Sequence, residues 1–152
     1  MRFPAPADSI ARYAHGYRSS RSSRTVARGA TVTALLVEDE APVRAILRRV
    51  LERAGCVVCE ARHGIDALLV WRAEHEHIDV LVTDIRMPEM SGPALVQCLH
   101  ADRSTLPVVY VSGYSEEVSR LQLAEMEHFV EKPFSAETLV LALTDVLACV
   151  RA

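Results

Sequence analysis

From residue 34 onward, short apolar runs alternate with stretches of helical periodicity. ALLV (34–37) is wholly apolar and stops at acids. CVVCEA (56–61), IDVLVT (78–83), LPVVYVS (106–112) and EHFVEK (127–132) are further strand candidates, rich in β-branched residues. Between the first two, Val43, Ile46, Leu47, Val50, Leu51 and Ala54 recur at helical spacing. Pro42 suits the first turn of that helix and Gly55 its stop. IDALLVWRAEHEH (65–77) reads as a second helix with a less regular stripe. Pro93 opens a third, running to about Ala101. Ser115 caps a fourth, with Glu116 and Glu117 in its first turn, where the helix dipole favours carboxylates. Ser135 caps the last, whose stripe is Leu139, Ala142, Leu143, Val146, Leu147 and Val150.

The order is strand then helix, five times over. Continuous apolar strands separated by helices predict an α/β fold with a parallel sheet covered on both faces. Ligands of such sheets bind at the carboxyl ends of the strands.

Length limits the chain of 152 residues to one domain of ordinary size. Charge divides it. Residues 1–33 hold six arginines against Asp8, a net +5, which leaves −8 of the overall −3 for the remainder. Around RSSRSSR there is no sustained apolar period, so residues 1–32 read as a basic, disordered tail and 33–152 as the domain. An organelle transit peptide, or a start site set too far upstream, would look the same. The tail has no helix-turn-helix pattern, so no DNA-binding domain is expected. No apolar run reaches the ~20 residues of a membrane span, and no secretory signal precedes the domain. The expected compartment is the cytoplasm. Cys56 and Cys59 have CxxC spacing, but on a strand residues three apart face opposite ways, so buried free thiols are expected. His75 and His77 would lie on different sides of a helix, a poor metal site.

The strand ends carry the chemistry. The first ends at Glu38 and Asp39, the third at Asp84, the fourth at Ser112 and the fifth at Lys132, the only lysine in the chain. Two like charges ~4 Å apart repel by roughly 1 to 4 kcal/mol between the dielectrics of water and a protein surface. Three carboxylates at one edge therefore need cations. A hard divalent ion suits oxygen ligands, and Mg²⁺ is typically held by one or two carboxylates plus a substrate phosphate. Lys132 supplies a second cation, and a hydroxyl beside it can donate to an anionic oxygen. Such a set suits phosphoryl transfer onto a carboxylate, which needs positioning and neutralisation of charge.

LLVEDE, LVTDIRMPEMSG, VVYVSGY and FVEKPF together strongly resemble the receiver domain of two-component response regulators, over residues 34–150. VSGYSEE and EKPFS look most like receivers of hybrid sensor histidine kinases. The resemblance implies a flavodoxin-like (βα)5 sandwich with strand order 2-1-3-4-5. It implies that Asp84 accepts a phosphoryl group from phosphohistidine on a histidine kinase or histidine phosphotransfer protein. Asp39 and Asp84 would bind Mg²⁺, with Glu38 assisting through water and the Arg86 backbone carbonyl completing the protein ligands. Ser112 and Lys132 would hold the phosphoryl oxygens, Ser112 and Phe129 would form the switch, and the Lys132–Pro133 bond would be cis. The downstream partner is a further protein, and the face of fourth helix, fifth strand and fifth helix is a candidate homodimer surface.

Three departures stand out. Phe129 replaces a common tyrosine, which removes a phenolic hydroxyl. Ser112 replaces a frequent threonine and keeps the hydroxyl. LAEMEH lacks the glycine common between the fourth helix and fifth strand. An aspartate-nucleophile phosphohydrolase commonly has a second Asp two residues past the nucleophile; Arg86 stands there instead. Two alternatives stay open: a receiver-like module that works without phosphate, and a detached hybrid-kinase receiver that relays phosphate.

Overall fold

A computed structural model describes residues 31–113, 116 and 120–150. Along the chain these form β1 (Thr33–Val37), α1 (Ala41–Arg53), β2 (Val57–Ala61), α2 (Gly64–Glu74), β3 (Val80–Thr83), α3 (Gly92–Asp102), β4 (Val108–Ser112), β5 (Glu127–Glu131) and α4 (Ala136–Cys149). The five strands make one parallel sheet in the order β2-β1-β3-β4-β5. This is the flavodoxin-like arrangement. The expected tail over residues 1–32 lies, but for its last two residues, outside the described residues. So does most of the helix expected after Ser115, of which Glu116 is helical.

The sheet divides the core in two because successive strand residues face opposite ways. Ala34, Leu36, Val80, Val82, Val109 and Val111 join Leu47 and Leu51 of α1 and the buried stripe of α4. Leu35, Val37, Leu81, Val108 and Tyr110 join Ala67 and Trp71 of α2 and Leu95 and Leu99 of α3. Cys56 is buried in the first cluster and Cys59 packs against the second, so the CxxC pair points apart. Burial pushes the Cys56 thiol up to about 12. β2 and β5 are the edges, and their charged residues (Glu60, Glu127, Glu131) fit that exposure.

Several boundaries differ from expectation. Ile46 is not on the buried stripe of α1; it is 54% exposed. It lies about 100° round the helix from Leu47, outside the arc that Leu47, Leu51 and Ala54 bury. The second helix ends at Glu74, with His75 as its cap, so His77 is not helical. Arg103 explains the stop: its guanidinium donates to the carbonyls of His75 and Ile78, which turns the chain into β3. The same guanidinium lies over the Trp71 ring, 4.9 Å from its centroid, and the Trp71 indole donates to Asp102 at 3.0 Å. The helix caps at Ser91 and Ser135 accept from Ala94 N and Thr138 N. Gly55, with φ 93°, ends the turn after α1 in the left-handed region that glycine tolerates.

Candidate functional site

The backbones of the site residues are final rungs of the sheet. Glu38 N donates to Ala61 O at 3.2 Å, Asp84 N to Val37 O at 3.1 Å, and Lys132 N to Ser112 O at 2.9 Å. Once the apolar strands pair, Glu38, Asp84, Ser112 and Lys132 therefore arrive at the same edge. Glu38 and Ser112 are fully buried, Asp84 nearly so, and Asp39 is exposed at the mouth.

The carboxylates of Glu38, Asp39 and Asp84 offer oxygens that all lie within 4.8 Å of one another. Lys132 Nζ donates to Glu38 Oε2 at 3.0 Å and to Asp84 Oδ2 at 3.3 Å. The other Asp84 oxygen, Oδ1, accepts from Ile85 N at 2.7 Å. Burial raises Glu38 to about 7; the Lys132 hydrogen bond opposes this and the Asp84 charge adds to it. Burial alone would lower Lys132, but the hydrogen bond to Glu38 and the charges of Asp84 and Glu38 outweigh it, and the ammonium is held above its usual value.

Hard oxygen donors, close enough to share one ion, fit Mg²⁺. Lys132 sets a single ammonium against three carboxyl groups, so a divalent cation would find negative charge left to balance.

The loop after β3 is shaped around the Asp84 backbone. Gly92 N donates to Ile85 O at 2.8 Å and closes the loop. A Cβ on Gly92 would come within 2.1 Å of the Asp84 carbonyl oxygen, so only glycine permits this approach. Glu89 takes the left-handed conformation, φ 67°, inside the loop. Arg86, exposed, shares with Asp39, Met87 and Leu121 the wall of an open cleft of about 610 Å³. Phe129 is half-buried opposite Tyr110 in the β4–β5 register and packs against the second core cluster. The Lys132–Pro133 peptide is cis.

The sequence match to the response regulator receiver domain covers residues 34–144. The chain belongs to the response regulator receiver domain family. This receiver is 36% identical over 119 residues to the sensor kinase CckA of Brucella abortus, covering 77% of this chain and 13% of that kinase. It is 35% identical over 121 residues to a chemotaxis protein CheY homologue of Campylobacter jejuni, covering 74% of this chain and 90% of that one. The crystal structure of the receiver domain from the hybrid histidine kinase CckA superposes with a TM-score of 0.63 at 33% identity, over 76% of this chain and 98% of that one. A response regulator receiver protein from Sinorhizobium medicae does so at 0.72 and 26%, over 79% and 97%. The acidic cluster is of the kind that holds Mg²⁺ in receivers, and it is consistent with a phosphoacceptor site. Receiver domains are phosphoacceptor signalling modules of two-component systems, and as a class they work with histidine kinases. No helix among the described residues is long and apolar enough to cross a membrane.

Four site features were not read from the pattern of the chain. They are the Ile85 amide on Asp84, the close approach of Gly92, and the contacts of Arg44 and Glu60. Arg44 donates through Nη1 to Glu38 O at 2.8 Å. A basic residue one turn into α1, after an acidic loop, was the available hint.

Proposed function

We propose that Asp84 accepts a phosphoryl group from the phosphohistidine of a histidine kinase or histidine phosphotransfer protein, and that Ser112 and Phe129 respond to it. The observation that carries this reading is the clustering of the Glu38, Asp39 and Asp84 carboxylates at one sheet edge, where Lys132 pairs with Glu38 and Asp84. In the transfer, an Asp84 oxygen forms a bond to phosphorus as the phosphorus–nitrogen bond to histidine breaks, and the electron pair leaves with the imidazole. Ile85 N holds Oδ1 and Lys132 meets Oδ2, so the carboxylate is oriented before the donor arrives. Glu38, Asp39, Asp84 and the Arg86 carbonyl would hold Mg²⁺. When bound, the ion supplies charge neutralisation for the phosphoryl oxygens.

The added group brings about −1.5 to −2 charges at neutral pH. Lys132 takes one phosphoryl oxygen by exchanging its contact with Asp84, and the Ser112 hydroxyl donates to another. Phe129, with no hydroxyl of its own, answers by repacking beside Tyr110. Residues 33–152 form the receiver, and 1–32 a basic tail. The kinship with CckA favours a role as a phosphate-relaying receiver working with a hybrid kinase in the cytoplasm, by way of a further protein downstream.

The test is labelling by a small acyl-phosphate donor with and without Mg²⁺, followed by mapping of the modified residue. Mg²⁺-dependent label on Asp84, lost in Asp84→Asn, is expected. Undiminished label on that variant at another residue would overturn the assignment.

A further inference from the structure

The geometry points to Arg44 as the positioning residue for Asp39, gripping the backbone on both sides of it so that its carboxylate faces Glu38 and Asp84. The inference rests on the metal-site reading above and deepens it.

Asp39 is exposed, and its carboxylate has no hydrogen bond or ion pair among the described residues. Its carboxylate is nonetheless aimed at the other two acids. The aim must come from the main chain. That chain is held at both ends by one residue. The Arg44 guanidinium donates to the carbonyl of Glu38, ahead of Asp39. The Arg44 amide donates at 2.9 Å to the carbonyl of Glu40, behind it. Between them, Glu40 N donates to Glu38 Oε1 at 3.2 Å, which ties the buried acid to the same short turn.

The guanidinium is itself placed from a second strand. Arg44 Nε lies 3.9 Å from Glu60 Oε1 on β2, and the other Glu60 oxygen accepts from Arg48 at 2.9 Å. The Arg44 side chain is only 17% exposed, so it is not a freely solvated surface charge.

Two roles for Arg44 predict opposite signs. A cation acting only by its charge repels Mg²⁺, and removing it should tighten binding. A positioning residue does the reverse: without it Asp39 must be ordered when the ion binds, and affinity falls. Partners that orient metal ligands typically contribute about 10- to 100-fold to affinity.

The experiment uses the full chain with Arg44→Met, which keeps the aliphatic stem and drops the donors, and Arg44→Lys. Calorimetric titration with Mg²⁺ should show about tenfold weaker binding for Arg44→Met, with part of the loss recovered by Arg44→Lys. In metal-free protein, NMR should show faster exchange of the Glu40 amide, while amides of β3 and β4 keep their rates. Affinity that holds or rises in Arg44→Met overturns the inference, as does an unchanged Glu40 exchange rate. Should the wild type take up no Mg²⁺, the metal-site reading fails instead, and the exchange rates alone decide the role of Arg44. Should Arg44→Met not fold, Glu60→Gln, which frees the guanidinium from its anchor, must move affinity and exchange in the same directions, or the inference is overturned.

Discussion

At the scale of single residues, the site is a contest between burial and charge. Glu38 is fully buried, and desolvation penalises its ionised form. Lys132 answers with a hydrogen bond at 3.0 Å but must share itself with Asp84. Burial prevails, and Glu38 rises from 4.5 to about 7. The sign for stability follows. Between those two pH values the folded state keeps a proton that the unfolded chain has released, so stability falls as pH rises through that window. Urea denaturation of metal-free protein should show this fall, and Glu38→Gln should remove most of it; a wild-type profile no steeper than that of Glu38→Gln would contradict the burial of charge. For the proposed transfer, lysine would suit the opposing position because a compact ammonium on a flexible stem could pass from a carboxylate to a phosphate oxygen, whereas a planar guanidinium is committed to one fork geometry.

At the scale of elements, the loop between β3 and α3 shows propensity yielding to tertiary contact. Gly92 is the first residue of α3, where alanine would ordinarily improve the helix by up to about 1 kcal/mol. Its missing Cβ, however, would sit 2.1 Å from the Asp84 carbonyl oxygen, a backbone atom that cannot rotate aside. The clash should win. We expect Gly92→Ala to lose upwards of about 2 kcal/mol in chemical denaturation. Because relief requires moving the Asp84 peptide, the label on Asp84 should fall as well. Equal stability and labelling would show that the loop gives way elsewhere. Arg103 and Trp71 play a comparable part at the other end of the sheet, where one guanidinium ends α2 and stacks on its tryptophan.

At the scale of the whole molecule, one sheet with helices on both faces carries both core clusters, and the sequence ahead of Thr31 has no sustained apolar period to add to them. A chain starting at Thr31 should therefore fold by itself and melt within a few degrees of the full chain; loss of cooperative unfolding would refute this. The local pattern of the sequence was enough for the five strands, the four described helices and Ser135 as a favourable cap, because periodicity and capping are properties of neighbours along the chain; the Ser91 cap it did not single out. It also showed that Glu38, Asp39, Asp84, Ser112 and Lys132 stand at strand ends. It misjudged Ile46 and the end of α2, since which arc of a helix is buried, and where its last carbonyls find donors, depend on partners distant in sequence. Only the tertiary structure decided that Lys132 reaches Glu38 across 94 residues and Asp84 across 48. Only it brought Arg44 to Glu60 and Gly92 against the Asp84 carbonyl. Those contacts join side chains and backbone from separate strands and loops, and no period in the sequence encodes a distance between segments that meet only when the sheet closes.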